Sequence, residues 1–242
     1  MIKGYDAIGV NLDIALDLPF REGTGALAHD VAKPVRHPVS LIHAPTWTQT
    51  SLSNLTVLTF DGASDYLECA GAATADLDFT TGDYSVVVWV NWLWTGSTQM
   101  LLARYELGKT GWEIYFTCHI NPDDNYLSLR HSHQSLTPDI WSSCFSEGWP
   151  VSAWTLVGIT RQKVAGTSYP LHYRNGEAVV VTYDAGGLSD PDSSAMDLVN
   201  VRFNKTANFY KGDLYRPRIW GRCLSPFEMR MIFSMERNLF GA

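Results

Sequence analysis

The chain has 242 residues, 45% hydrophobic and only 18% charged, which supplies enough apolar material for a sizeable core and excludes a disordered chain. Its formal charge of −7, with acidic residues spread along the sequence, excludes a general binder of nucleic acid or anionic membrane, which needs a basic surface. No apolar run is long enough to span a bilayer, and the opening MIKGYDAIGVNLDIALDLPF has no continuous apolar stretch, so neither a membrane span nor a secretory signal is expected.

Residues 1–12 read as an arm ahead of the fold, and residues 13–242 as one domain without repeats or low-complexity linkers. The stretch 21–54, rich in Gly, Pro, Ser, Thr and His, reads as irregular connection with short strands near 41–43 and 47–49. Strand signals then recur at 55–60 and 66–69, around the turn Asp61-Gly62. The most β-prone run is 84–94, YSVVVWVNWLW. Val86, Val88, Val90, Trp92 and Trp94 share one face of it, and Val87, Trp89 and Leu93 the other. Both faces are apolar, so this strand is expected at the centre of a sheet covered on both sides.

Further strands are read at 99–105, 112–119, 126–131, 140–145 and 154–161. Asn175-Gly176, between runs 171–174 and 177–183, favours positive φ at both central positions and so a type I′ hairpin turn. Strands at 198–203 and 209–220 complete the set. Pro217 cannot donate a ladder hydrogen bond, so it marks an edge or a bulge in the last one. Ser225-Pro226-Phe227-Glu228 reads as a capped helix start, with a helix over about 225–237 docking by a stripe of Phe227, Met231 and Met235 with nearby Ile232. Many short strands with regular turns and no alternating helices mean an all-β sandwich or barrel. The cysteines Cys69, Cys118, Cys144 and Cys223 are widely spaced, match no metal pattern and are expected as buried free thiols rather than disulfides.

Four stretches, in order, resemble the laminin-G-like, concanavalin A-like jelly-roll family. LPFREGTGALAHD (18–30) is similar to the opening of such domains. LTFDGASDYLEC (58–69) is similar to their strand-turn-strand, and DYSVVVWV (83–90) to their central strand. AWTLVGITRQ (153–162) with its partner LHYRNGEAV (171–179), and YKGDLYRPRIWGRCLSPFEM (210–229), resemble the closing hairpin and end. The resemblance covers nearly the whole chain after residue 12. It implies two antiparallel sheets in a jelly-roll sandwich with a short C-terminal helix, and a concave face that relatives use for glycans or protein partners. Relatives often carry, three residues after the glycine of the last strand, an Asp that helps hold a structural calcium. Here that position is Tyr215, and Asp213 alternates to the opposite face. No cofactor or metal is therefore expected, and Asp30, Asp61 and Asp65 read as turn formers.

Glycoside cleavage on this fold needs two carboxylates at a fixed separation. The run 112–119 offers Glu113 alone, so no enzyme is expected. His131 and His133, with His119 on a neighbouring strand, are three candidate zinc donors, but nothing acidic is placed to orient the rings, and hydrogen-bonded histidines are the simpler reading. A sugar-binding face is the better candidate, since sugars stack their C–H faces on aromatics while polar groups fix their hydroxyls. Its residues are Glu113, Tyr115 and His119 on one strand, Tyr126 and Arg130 on the next, and Trp141 and Trp149 in the segment 139–150, with Trp149 expected as the exposed aromatic. The competing reading is a polar outer face over core tryptophans. A solitary laminin-G-like domain also resembles viral and phage proteins that decorate capsids or sit on tail fibres. The expectation is thus a non-catalytic structural or recognition module on a virion surface, with capsid or tail proteins, cell-surface glycans and, through the arm, a sister subunit as partners. The alternatives are a carbohydrate-binding module of a secreted or cell-surface system, and an unorthodox glycanase.

Overall fold

The computed structural model describes residues 9–32, 36–118, 121–135, 140–164 and 167–242. Its strands are β1 (Ile14–Asp17), β2 (Leu27–His29), β3 (Pro38–Ile42), β4 (Thr46–Gln49), β5 (Thr56–Asp61), β6 (Tyr66–Cys69), β7 (Tyr84–Trp92), β8 (Gln99–Glu106) and β9 (Thr110–Cys118). They continue with β10 (Asn125–Ser132), β11 (Trp141–Glu147), β12 (Thr155–Arg161), β13 (Leu171–Arg174), β14 (Glu177–Val179), β15 (Thr182–Tyr183), β16 (Leu198–Val199) and β17 (Lys211–Trp220), followed by helix α1 (Pro226–Glu236). An eight-stranded sheet runs β14-β13-β12-β7-β17-β5-β4, with β1 added on β17. A nine-stranded sheet runs β15-β11-β10-β9-β8-β16-β6-β3-β2. The two antiparallel sheets and the closing helix make a jelly-roll sandwich.

Strand alternation explains the layers. Val86, Val88, Val90 and Trp92 of β7 point between the sheets, where they join Trp112, Ile114 and Phe116 of β9 and Leu127 and Leu129 of β10 in the main core. Trp92 and Phe116 stack there with centroids 4.5 Å apart and planes 3° from parallel. Val87 and Trp89 point the other way, into a second cluster under α1. Strand β7 lies between β12 and β17, the two-sided burial that its sequence demands.

Local chemistry sets the connections. Asn175 and Gly176 both take positive φ, 54° and 81°, as a type I′ turn requires. That turn lies beneath α1, where a Cβ on Gly176 would come 3.0 Å from the Phe233 Cβ. Pro217 sits in a bulge of β17, where the register with β7 shifts between Tyr215 and Arg218. Strand β17 is interior, so the missing donor is absorbed by the bulge rather than by an edge.

Three expectations change. The run 177–183 divides into β14 and β15, one at the edge of each sheet, and the chain crosses between sheets at the exposed Val180. The strand expected over 198–203 shortens to β16, because the Asn200 Oδ1 accepts the Leu67 amide (2.7 Å) and the chain then reverses. The helix has the expected cap, with the Glu228 amide donating to Ser225 Oγ (3.3 Å) and the Ser225 amide to Glu228 Oε2 (2.8 Å). Yet it docks by Met229, Ile232 and Glu236, while Phe227 and Met235 are exposed. Met229 fits over Gly158, where a Cβ would lie 3.0 Å from its sulfur. Glu236 is drawn down to Arg216 and Arg218 at 3.0 and 2.8 Å.

Of the expected arm, residues 9–12 are held to the fold. Val10 is buried in the cluster under α1, its carbonyl accepts from Trp220 Nε1 (2.8 Å), and Arg222 Nε donates to the Leu12 carbonyl (2.8 Å). Residues 1–8 lie outside the described residues. Cys69, Cys144 and Cys223 are free thiols.

Candidate functional site

The outer face of the nine-stranded sheet assembles most of the residues singled out by sequence. Arg130 stands directly across from Glu113 in the β9–β10 ladder, and Tyr115 lies across from Ser128 on the same face. The guanidinium donates from Nη1 to Glu113 Oε1 (2.9 Å) and from Nη2 to the Tyr115 hydroxyl (2.7 Å). It lies 5.1 Å from the Tyr115 ring centroid and 5.7 Å from that of Trp141, the first residue of β11. Two aromatic rings and a carboxylate thus hold one cation in place.

Glu113 is 2% exposed. Burial pushes its carboxyl above the usual range, opposed by Arg130 and by a hydrogen bond from Tyr105. Tyr105 arrives from β8 through a register shift between Met100 and Leu102. That shift turns Leu101 and Leu102 to the core, and Met100, Ala103 and Tyr105 outward against Tyr115. The segment between β16 and β17 closes the side: Phe203 meets Tyr105 edge-on at 5.5 Å, and the Asn208 carbonyl accepts the Met100 amide (2.9 Å). Between them lies a cleft of ≈ 240 Å³ lined by Thr98, Met100, Tyr105, Leu107, Glu113, Tyr115, Arg130, Arg202 and Asn208. Leu107, Ile140 and Trp141 are exposed at or beside its rim.

The remaining expected residues lie elsewhere. Tyr126 is farther along β10, its hydroxyl donating to Asp124 (3.0 Å) and its ring edge-on to Phe145 at 5.1 Å. His119 falls outside the described residues. Trp149 is a correction: it is 2% exposed, not a surface aromatic. After β11 the chain turns back over the sandwich end, and Trp149 packs into the main core near Phe116, its Nε1 donating to the Ser146 carbonyl (3.0 Å). The sequence reading missed Tyr105, Arg202 and Asn208. Alternation along β8 would place Tyr105 only if the bulge were known, and Arg202 sat in a run read as strand.

The candidate metal donors are engaged otherwise. His131 points into the core, where its Nδ1 donates to the Ser189 carbonyl and its Nε2 accepts from the Tyr84 hydroxyl, both at 2.8 Å. Burial lowers its pKa to about 3, so it is neutral. Tyr215 lies in the apolar cluster under α1, 5.5 Å from the Phe240 ring. Asp30 accepts the Asp17, Ala32 and His37 amides, and Asp61 those of Ala63, Ser64 and Asp65. Among the described residues no group of His, Cys, Asp and Glu is arranged to hold a metal.

Residues 61–230 match the model of the concanavalin A-like lectin/glucanases superfamily (laminin-G type), and the chain belongs to that superfamily. No curated protein matches. Among solved structures, the receptor-binding domain of botulinum neurotoxin type G is similar at 14% identity and TM-score 0.65, over 93% of this chain and 51% of that one. A botulinum neurotoxin type C structure, from work on cell entry through two ganglioside molecules, gives 11% and 0.65 over 94% and 52%. The binding domain of botulinum neurotoxin DC with SialylT gives 12% and 0.63 over 93% and 52%. This chain spans about half the length of those structures, and at such identity the likeness is one of fold.

Proposed function

We propose that the protein is a non-catalytic recognition module that binds glycan on the outer face of the nine-stranded sheet. The observation that carries this reading is Arg130, fixed between the Tyr115 and Trp141 rings at the margin of the cleft. A sugar ring offers apolar C–H faces and outward hydroxyls. Aromatic rings take the first, and rigidly held donors and acceptors the second, with orientation already built in before the ligand arrives. The cleft holds one carboxylate, Glu113, and that group is committed to Arg130 and Tyr105. Hydrolysis of a glycosidic bond needs a second at fixed separation. Among the structural neighbours, botulinum neurotoxin type C depends on two ganglioside molecules for cell entry and the DC binding domain is found in complex with SialylT, which supports a recognition reading.

A glycan array probed with the intact chain in the presence of a chelator tests this. Binding is expected, and Trp141→Ala should weaken it by about tenfold or more, equivalent to roughly 1.4 kcal/mol. An array on which the wild type binds no sugar sinks the reading. We further propose an exposed setting for the module, on a virion as a capsid or tail-fibre component, with cell-surface glycans as its targets. The support is the resemblance of a laminin-G-like domain to such decorating proteins. No helix among the described residues is long and apolar enough to cross a membrane. Mass spectrometry of purified particles from the source checks the setting, and absence of the chain from them leaves the secreted or cell-surface module.

A further inference from the structure

The cleft is unbalanced in charge. Arg130 is neutralised by Glu113. Arg202 lines the same cleft half-buried: its guanidinium lies over the Phe203 ring at 5.6 Å and is felt electrostatically by Glu113 and Tyr105, but among the described residues no ion pair or side-chain hydrogen bond holds it. Five other buried or half-buried arginines of this chain are matched with carboxylates, Arg104 with Asp78, Arg161 with Asp190, Arg216 with Asp17, Arg218 with Glu236 and Arg222 with Glu228, while the half-buried Arg174 donates to the Gly148 carbonyl and lies over the Trp149 ring. Two arginines against one carboxylate leave the cleft one positive charge, on a chain whose formal net charge is −7.

We infer that the cleft selects an acidic sugar, a glycan terminus whose carboxylate pairs with Arg202. The inference rests on the reading that this face binds glycans. A guanidinium presents a planar fork that matches a carboxylate with two parallel hydrogen bonds. A single negative charge balances the site, whereas a doubly charged phosphate overbalances it beside the fixed Glu113. The volume of ≈ 240 Å³ equals roughly eight waters of bulk liquid, room for one sugar residue rather than an extended chain. Tyr105 and Tyr115 form the buried floor beside the arginines, their hydroxyls engaged by Glu113 and Arg130, and Leu107 gives an exposed apolar margin.

Calorimetric titration of the full chain with sialyllactose, lactose and sulfated lactose tests the inference. Sialyllactose should bind about tenfold or more tighter than lactose at low ionic strength, as a charge-assisted hydrogen bond predicts. The gap should narrow as salt is raised. Arg202→Gln should bring the two sugars to near parity, with thermal unfolding confirming the fold, and Arg202→Lys should restore part of the preference. Equal binding of lactose and sialyllactose by the wild type, or a preference that survives Arg202→Gln, overturns the acidic-sugar inference and leaves glycan recognition standing. Sulfated lactose binding more tightly than sialyllactose overturns the carboxylate assignment. Failure of every sugar, here and on the array, removes the glycan reading and the inference with it.

Discussion

The two sheets carry similar aromatic chemistry on their outer faces and use it for opposite ends. On the eight-stranded sheet, Val87, Trp89, Leu156, Tyr173 and Tyr215 are roofed by Met229, Ile232 and Phe240. The two arginines of β17 there are paired: Arg216 meets Asp17 at 2.9 Å and Glu236 at 3.0 Å, Arg218 meets Glu236 at 2.8 Å, and Trp89 Nε1 donates to the same carboxylate at 2.8 Å. On the nine-stranded sheet, Tyr105 and Tyr115 have no such roof, and Arg202 has no carboxylate among the described residues. The segment after β17 supplies a lid to one face only. A face whose arginines are paired and whose rings are covered has little left to offer a ligand, whereas one with a cleft and an arginine held by no carboxylate has both shape and charge to offer.

The contrast makes its largest demand at Trp89. This side chain is fully buried, stacks on Phe240 with centroids 4.3 Å apart and holds Glu236 through its indole nitrogen. Trp89→Ala removes the platform on which the C-terminal segment sits and leaves Glu236 short of a donor. It should cost about 3–5 kcal/mol in denaturant unfolding. Trp141→Ala on the open face should cost about 0.5 kcal/mol or less, as an exposed substitution does. Similar costs for the two variants would break the comparison, because the closed face would then be no more structural than the open one.

Much of this asymmetry was readable from residues, and the unreadable parts have physical reasons. The two-sided apolar run of β7 predicted a covered central strand, Asn175-Gly176 predicted its turn, and the Ser225 cap predicted the helix start. These signals are local: periodicity, φ preference and capping act within a few residues. The docking face of the helix was not local. Its stripe of Phe227, Met231 and Met235 lost to Met229 and Glu236, because Gly158 and two arginines on β17 decide what fits beneath it. At the candidate site, the placing of Glu113, Tyr115 and Arg130 on one face was legible because alternation on adjacent strands needs only register. Tyr105 depends on a bulge and Arg202 on a chain reversal after Asn200, and neither leaves a mark in the spacing. Trp149 misled because a tryptophan before a proline in a polar stretch looks exposed, yet the chain folds it back across the end of the core.

A smaller effect sharpens the contrast through pH. Glu113 is the open face's buried carboxylate, and burial holds its pKa above the usual glutamate range, against the pull of Arg130, Tyr105 and Arg202. A carboxyl whose folded-state pKa is raised favours the protonated form in the folded state. Its stabilising contribution is full below the unfolded value, about 4.3, and is lost as pH rises through the folded one. Wild type should therefore gain stability relative to Glu113→Gln as pH falls from neutral into the acid range, read as a shift in urea midpoint between the two proteins. The opposite drift, or parallel curves, would mean that the carboxylate sits comfortably in its charged form and that the open face carries no such penalty. The expected drift identifies a carboxyl whose charged form is disfavoured by burial and favoured by its arginine neighbours. Such a charge holds Arg130 in place between Tyr115 and Trp141, which is a task for a ligand-facing surface and of no use to a closed one.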